Sequence, residues 1–279
     1  MTGHSNTKSG RRSEGDTGSA IASAMPGIRS VEIDRPWFWL EAGWRDFLRA
    51  PGVSIAYGGV FSLVGYLLTY GLYAGDMLSL AMPLAAGFTL VGPLAAVGLY
   101  QVSRRLEQGN PVSIRIALRD IAAHIGTVSA MGLVLLLFLL AWIRLALLIF
   151  AIFFGGRPAN LQDFVGTVFF APESLPFVVT GIAIGAVLAG VVFTISVVSL
   201  PMLLDRDVGV AVAIATSVAA VTRNIRAMAL WAALIVVFTA AGLATLYIGL
   251  VICLPLIGYA SWHAYRDVVI PEGEASEGG

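Results

Sequence analysis

Charged residues are scarce in this chain: Asp, Glu, Lys and Arg make up 12% of its 279 residues, against 58% hydrophobic residues. A soluble globular domain typically carries about 25% charged residues, so this composition excludes an ordinary water-soluble fold. The formal net charge is zero, and no excess of either sign points to nucleic acid or to an acidic substrate. We therefore expect the lipid bilayer to be the main solvent of this protein, and we expect no nucleic-acid partner.

Cysteine and histidine are scarce as well. Cys253 is the only cysteine, which excludes an internal disulfide and any multi-cysteine zinc or iron–sulfur site. His124 and His263 lie near predicted helix ends, where an interfacial or capping role competes with haem or metal ligation. The sequence contains no Gly-rich phosphate loop, nucleophile elbow or His-Glu-x-x-His motif. It therefore predicts no cofactor, no metal and no catalytic residue.

Long apolar runs predict six transmembrane helices. Each crossing needs about 20 apolar residues to span roughly 30 Å of hydrocarbon. The run from Ala227 to Tyr265 is about twice that length, so a tight turn near Thr245 is expected to divide it. The predicted crossings are 53–73, 79–102, 127–154, 176–204, 227–244 and 247–265.

Positive charges fall in alternate gaps between these crossings. Fifteen of the seventeen Lys and Arg residues lie before the first crossing, in the gaps 104–119 and 205–226, or at Arg266. The other two are Arg157, in the gap 155–175, and Arg144, inside a crossing. Because cationic segments resist translocation, this asymmetry predicts a multi-pass membrane protein with both termini in the cytoplasm.

Composition divides the chain into three regions. Residues 1–30 are rich in Ser, Gly and charge and lack the apolar core of a signal peptide, so they are predicted to form a disordered cytoplasmic tail. Residues 31–270 are predicted to form the six-helix membrane domain, and 271–279 a cytoplasmic carboxyl-terminal tail. The outer segment 155–176 has the spacing of a short helix lying on the membrane surface.

A segment with helical amphipathic spacing precedes each pair of crossings. Segment 36–49 has one apolar face, with Glu41 and Arg45 as an i, i+4 pair facing away; segment 113–125 repeats the pattern, and 207–226 does so more weakly. The sequence thus predicts an all-α fold of three tandem units, each an amphipathic interfacial helix plus a helical hairpin. Membrane helices in general carry aromatic residues at the interface and positive charges on the cytoplasmic side. These tendencies would also produce similar helix ends without an internal repeat. The apolar face predicted for 36–49 comprises Trp37, Leu40, Trp44, Phe47 and Leu48.

Tryptophan is concentrated where the predicted helices meet the membrane surface. An indole ring is stable at headgroup level because it has both an apolar body and a polar N–H group. We therefore predict interfacial anchors at Trp37, Trp39, Trp44 and Trp262.

Arg144 is the one charged residue inside a predicted crossing. A guanidinium near mid-helix costs roughly 2.5–3.5 kcal/mol on insertion scales. A compensating group is therefore expected: backbone carbonyls, water, a lipid phosphate, or an outer acid such as Asp163 or Glu173. Two interpretations stay open. Arg144 either snorkels to the outer interface with its alkyl stem in lipid, or it forms an anion or lipid-headgroup site.

Four segments carry a resemblance to a known family: RPWFWLEAGWRDFLRAP at 35–51, GPLAAVGLYQVSRRLEQG at 92–109, SVVSLPMLLDRDV at 196–208 and WHAYRDVV at 262–269. With them the chain resembles, over about residues 30–270, an uncharacterised family of bacterial integral membrane proteins of unknown function. Some members carry the label of cytochrome c oxidase subunit, which implies at most an accessory association. Three histidines are too few for the redox core of such an oxidase. The resemblance brings no catalytic or binding residues.

Two functions follow as hypotheses. The first is a non-catalytic scaffold, assembly factor or accessory subunit of a membrane complex, for example a respiratory one, and it predicts stable co-purification with membrane-complex subunits. The second is a small transporter or lipid-handling protein that uses Arg144 on an internal path. It predicts a water- or lipid-accessible cleft around that residue.

Overall fold

Helices make up nearly all of the chain that the computed structural model describes, which is residues 21–77, 81–155 and 175–271. Most of the predicted tails, and the outer segment with Asp163 and Glu173, lie outside these ranges. The helices are α1 (Arg35–Arg49), α2 (Pro51–Ala74), α3 (Ala81–Ala95), α4 (Val97–Glu107), α5 (Ile114–Ala123), α6 (Ile125–Phe154), α7 (Leu175–Ser196), α8 (Ser199–Asp205), α9 (Val210–Arg223), α10 (Ile225–Ala244) and α11 (Leu250–Val268).

Three consecutive units share one order of helices: a short helix, a break, a long apolar helix and a return helix. In the first unit these are α1, α2 and α3–α4; in the second, α5, α6 and α7–α8; in the third, α9, α10 and α11. The prediction of an all-α polytopic membrane protein built from three tandem units is confirmed.

The break between the short and the long helix falls on one residue in each unit. Ala50, His124 and Asn224 all leave the helical region, with φ between −107° and −131° and ψ between 16° and 53°. The cause is clearest at Ala50, because Pro51 lacks an N–H group and its ring disfavours a helical conformation in the residue before it. Such a break lets the short helix change direction where the long helix begins.

Within the described part of the chain, five helical stretches are long and apolar enough to cross a membrane: Pro51–Ala74, Leu84–Glu107, Ile125–Phe154, Leu175–Asp205 and Ile225–Ala244. They coincide with the first five predicted crossings. The sixth prediction, 247–265, corresponds to α11, a helix of 19 residues that is not among those five. The expected turn near Thr245 is present, with Leu246 and Tyr247 at positive φ.

The last helix, α11, lies at the centre of the fold. It packs against α1, α2, α4 and α10, and most of its residues from Pro255 onward are buried. The long helices α2, α6, α7 and α10 instead expose apolar side chains, such as Leu68, Ile152 and Val187 at 65–70% exposure. Because protein rather than lipid surrounds α11, this helix can hold polar side chains that a lipid-facing helix could not.

The described part of the amino-terminal segment differs from the predicted tail. Ile28 pairs with Val269, the Arg29 amide donates to the carbonyl of Val268 at 2.8 Å, and the Ile270 amide donates to that of Gly27 at 2.9 Å. Residues 27–30 are therefore ordered, in contrast to the predicted disorder of 1–30. Their polar composition predicted exposure to solvent. The Arg29 N–H group and the Gly27 carbonyl group instead form hydrogen bonds with the residues at the end of α11.

We call the end of the bundle that holds α1, α5, α9 and the carboxyl ends of α4, α8 and α11 the charged end. The side-chain ion pairs found among the described residues all lie there.

Candidate functional site

Polar side chains of the described residues concentrate at the charged end, around the last turns of α11. Tyr259, Trp262 and Tyr265 are each at most 1% exposed, and charged residues of α11 lie between them. Since α11 contacts α1, α4 and α8, its charged residues reach partners in both of the other units. The polar network, as we call it, consists of Arg35, Trp39, Asp46, Ser103, Arg104, Glu107, Asp205, Arg206, Trp262, His263, Tyr265, Arg266 and Asp267.

The first cluster of the polar network joins the start of α1 to the end of α11. Arg35 donates from Nε and from a terminal nitrogen to the two carboxylate oxygens of Asp267, both at 2.8 Å. The indole Nε1 of Trp39 donates to Asp267 Oδ2 at 2.9 Å. The hydrogen bond to Asp267 raises the pKa of Arg35, against the opposing effect of burial. This bidentate pair fixes the two planar groups in one relative orientation.

The second cluster centres on Asp46 of α1, whose residue is 3% exposed. Its Oδ2 accepts hydrogen bonds from Ser103 Oγ of α4 at 2.7 Å and from His263 Nε2 of α11 at 2.8 Å. The carboxylate stands between the hydroxyl and the imidazole, so the histidine does not contact the serine. A serine nucleophile needs the imidazole next to its hydroxyl; this order therefore ties three helices together and does not activate Ser103.

The third cluster links α4, α8 and α11 through alternating charges. Glu107 accepts from Trp262 Nε1 and from Arg266 Nε, both at 3.0 Å. Asp205 pairs with Arg266 at 3.5 Å and with Arg104 at 3.3 Å, and it accepts from Tyr265 Oη at 2.8 Å. Arg206 Nε in turn donates to the Tyr265 hydroxyl at 3.1 Å.

In each cluster the carboxylates face a cation, an imidazole or a buried N–H or O–H donor. A hydrogen bond to a charged group contributes about 1.5–3 kcal/mol, whereas a fully exposed ion pair contributes about 0–1 kcal/mol. Removing one partner costs more than the pair itself stabilises, because the other charge is left poorly compensated. The network thus acts as a clamp across units, with α1 and α4 from the first, α8 from the second and α11 from the third.

Asn224 forms a second clamp at the break between α9 and α10. This residue is 5% exposed. Its Oδ1 accepts from the Val31 amide at 2.8 Å, and its Nδ2 donates to the Arg29 carbonyl at 3.0 Å. The side chain that ends one helix therefore also holds the amino-terminal segment against the charged end.

Arg144 lies on the exposed face of α6, and no hydrogen bond or ion pair to it is found among the described residues. It stands 19 residues after Ile125, the first residue of α6, just as Ala244, the last residue of α10, stands 19 after Ile225. At 1.5 Å per residue both positions are about 29 Å from the break at the charged end. Arg144 thus lies about one bilayer thickness from the break and ten residues before the end of α6 at Phe154, and it faces outward.

The four tryptophans predicted as interfacial anchors fall into two classes. Trp37 and Trp44 are 55% and 42% exposed, as an anchor at the protein surface requires. Trp39 and Trp262 are 2% and 1% exposed, which corrects that prediction for both. Their rings lie inside the protein because their N–H groups find carboxylate acceptors there, Asp267 and Glu107.

The face of α1 that packs on the protein also differs from the predicted one. The buried residues are Pro36, Trp39, Leu40, Gly43, Asp46 and Phe47. Leu40 and Phe47 belong to the predicted face, but Trp37, Trp44 and Leu48 are exposed. Two positions that looked polar or small, Asp46 and Gly43, contact α11 instead: a Cβ atom at Gly43 would meet Ala260 N at 2.8 Å.

The sequence reasoning missed the acids of the polar network. A signal was available, since Glu107, Asp205 and Asp267 each stand at the end of a return helix, next to an arginine or one turn after one. Recurrence of such an acid in all three units indicates a shared contact at that end. His124 and His263 are not brought together: His124 Nδ1 lies 2.9 Å from the Asp120 carbonyl oxygen, while His263 belongs to the polar network.

Comparison with known proteins identifies the central part of the chain. Residues 81–205 match the family model of the predicted integral membrane proteins DUF2189. This match confirms the resemblance to an integral membrane protein family of unknown function. In the structure, the DUF2189 segment runs from α3 to α8 and contains Arg104, Glu107, Arg144 and Asp205. No match was found among curated proteins or among solved structures.

Proposed function

We propose that this protein is a non-catalytic scaffold, assembly factor or accessory subunit of a membrane complex in the bacterial inner membrane. The observation that supports this proposal is the polar network. Its acids and bases bind one another across three units, and Asp46 accepts hydrogen bonds from both Ser103 and His263. Such pairing stabilises a fixed base at the membrane surface, which a scaffold needs in order to hold a partner in one geometry.

The proposed orientation places the charged end in the cytoplasm. Fifteen of the seventeen Lys and Arg residues belong to segments at or leading to this end, which is the distribution that the positive-inside rule predicts for cytoplasmic segments. On the same end, α1 exposes Trp37, Phe38, Trp44 and Leu48. Exposed aromatic residues held on a rigid helix are suited to contact either the headgroup region or a neighbouring membrane subunit.

The test is co-purification from native membranes. The tagged full chain is extracted in mild detergent and its companions are identified and quantified by mass spectrometry. We expect stoichiometric membrane subunits, and we expect a Trp37→Ala, Trp44→Ala double variant to lose them while keeping its thermal unfolding temperature. A Leu68→Ala variant on the lipid-facing side of α2 serves as the control and retains them. Recovery of the wild-type chain alone, with lipid as its only companion, would contradict the scaffold proposal.

Lipid handling is the second candidate, and the outward position of Arg144 favours it over an internal transport path. A guanidinium about one bilayer thickness along a helix is within reach of lipid phosphates, whose bidentate geometry it matches. We expect Arg144→Leu to lower the phospholipid retained per purified protein, and Arg144→Lys to restore most of it. Phosphate analysis of delipidated samples measures this. Unchanged retention in Arg144→Leu would leave snorkelling as the sole role of this side chain.

A further inference from the structure

A polar cavity of about 150 Å³ lies beside the polar network, between α4 and α5. Its lining includes Gln101, Arg104 and Arg105 from α4, Asp120 from α5, and His124 at the break that follows α5. Because α5 is an amphipathic helix at the charged end, the cavity lies at the level where lipid headgroups meet the protein.

The side-chain nitrogen of Gln101 has no hydrogen-bond partner among the described residues, although it is buried. The residue is 2% exposed. A buried amide nitrogen without a partner is destabilising, because it gives up its hydrogen bonds to water. An apolar residue of similar size would avoid this cost, so the amide at this position requires a reason such as a ligand that accepts its hydrogen bonds.

Arg104 also has an N–H group without a well-formed hydrogen bond. Its Nε lies 3.3 Å from Asp205 Oδ1, but the geometry of this contact is not that of a hydrogen bond, and Nε is buried without another partner. One terminal nitrogen makes only a long contact of 3.5 Å to the Asp205 carbonyl. A planar guanidinium held by an acid on one side presents its remaining N–H groups to the cavity on the other.

The other charged residues of the cavity, Arg105 and Asp120, form an ion pair. Arg105 donates from two nitrogens to the two carboxylate oxygens of Asp120. This hydrogen bonding lowers the pKa of Asp120, so the acid stays charged and compensated by Arg105. His124 Nδ1 faces a backbone carbonyl oxygen, which leaves Nε2 for a further contact. Arg104, which pairs with Asp205, places a second guanidinium beside this ion pair.

We propose that this cavity binds a phosphate group, either that of a phospholipid headgroup or a free phosphate. Gln101 and Arg104 donate hydrogen bonds to the phosphate oxygens, and Arg105 and His124 line the approach. A single tetrahedral phosphate fits the volume of the cavity, and basic pockets between transmembrane helices at the cytoplasmic surface are typical sites for anionic headgroups. This site is distinct from Arg144, which lies about 29 Å farther along α6.

The test uses the delipidated full chain in dodecyl maltoside, a detergent without phosphate. Inorganic phosphate is titrated at constant ionic strength set with chloride, and the unfolding temperature is followed by tryptophan fluorescence. A second arm counts phospholipid molecules that remain bound after extraction from native membranes, by native mass spectrometry. Thermal stabilisation by inorganic phosphate indicates a free-phosphate site, and retained phospholipid without that stabilisation indicates a headgroup site.

Gln101→Leu is the decisive variant. We expect it to weaken binding of the probe at least about tenfold, since a hydrogen bond to a charged group is lost. Without ligand it unfolds at the same temperature as the wild type or higher, because the unpartnered amide is gone. Gln101→Glu, which adds a repelling charge, abolishes binding and provides a second test if the leucine variant does not fold.

The matched control for Arg104→Gln is Arg115→Gln, which removes a charge outside the cavity. Arg104→Gln and Arg115→Gln each remove one arginine from this end, but Arg115 is an exposed residue of α5 that does not line the cavity. We expect only the first to lose binding. Equal binding in wild type and Gln101→Leu, equal loss in both arginine variants, or no binding of either probe would overturn the proposal.

Discussion

A carboxylate at the edge of a membrane protein stays charged if several donors replace the water that it loses. Asp267 meets this requirement with two hydrogen bonds from Arg35 and one from Trp39. Asp46 meets it with Ser103 and His263. Asp267 shows why Trp39 is buried: its N–H group is one of the donors that a partly desolvated acid needs.

The first residue-scale prediction concerns Asp267→Asn. The amide keeps the size of the side chain but loses the charge that strengthens three hydrogen bonds, and it leaves Arg35 less compensated. We expect the free energy of unfolding to fall by about 1.5–3 kcal/mol, measured by denaturation in mixed detergent micelles. Glu41→Gln is the control, since Glu41 is an exposed acid of α1 for which no hydrogen bond or ion pair is found among the described residues. Its effect is expected to stay within about 0.5 kcal/mol, and a similar loss in both variants would contradict the assigned role of Asp267.

A second residue-scale prediction concerns the clamp at Asn224. In Asn224→Asp the side chain keeps its acceptor for the Val31 amide but loses the N–H group that donates to the Arg29 carbonyl. A buried carboxylate also replaces a neutral amide. We expect faster hydrogen exchange and proteolysis confined to residues 21–33, with the transmembrane helices unchanged. Thr222→Val, an exposed substitution two residues earlier, is the control.

At the scale of elements, the position of α11 depends on glycine. A Cβ atom at Gly58 of α2 would lie 2.7 Å from the Cα atom of Val251 in α11, whereas nothing lies within 4 Å of such an atom at Gly59. A clash with backbone cannot be relieved by a side-chain rotation, so α2 and α11 would have to separate. The two neighbouring glycines therefore have opposite roles: one allows a close approach, and the other only loosens the helix.

This contrast gives the third prediction. We expect Gly58→Ala to lower the free energy of unfolding by about 1–3 kcal/mol, as overpacking does. Gly59→Ala should leave it unchanged or raise it by up to about 1 kcal/mol, because alanine is the better helix former. Both variants are compared by denaturation in the same micelles. Equal effects at the two positions would show that α2 and α11 are not in close backbone contact.

Local sequence predicted the helices but not their partners. Apolar run length located the crossings, and the turn near Thr245 followed from bilayer thickness alone. The buried face of α1 did not follow, because an apolar residue such as Trp37 can meet lipid as readily as protein, whereas Trp39 needs Asp267, 228 residues away, as an acceptor. The polar network depends on contacts of this range, so hydrophobic periodicity carries no information on them.

For the whole molecule, the three units differ in how much of each faces lipid. The third unit contributes α11 to the centre, while α6 and α7 of the second expose most of their apolar surface. Among the described residues the ion pairs lie at one end of the molecule, the charged end. Partner binding, headgroup binding and the two clamps are all expected at the charged end, which makes its orientation the most important unknown for function.

The fourth prediction tests that orientation. In a Cys253→Ser background, single cysteines replace Met77, in the turn after α2, and Asp207, after α8; both positions are exposed. A membrane-impermeant maleimide should label Met77→Cys in intact spheroplasts and Asp207→Cys only after lysis, because the charged segments do not cross the membrane. The Cys253→Ser chain without a new cysteine gives the background. Labelling of Asp207→Cys in intact spheroplasts would place the polar network outside the cytoplasm, and a partner or phosphate source would then have to be sought on the outer side.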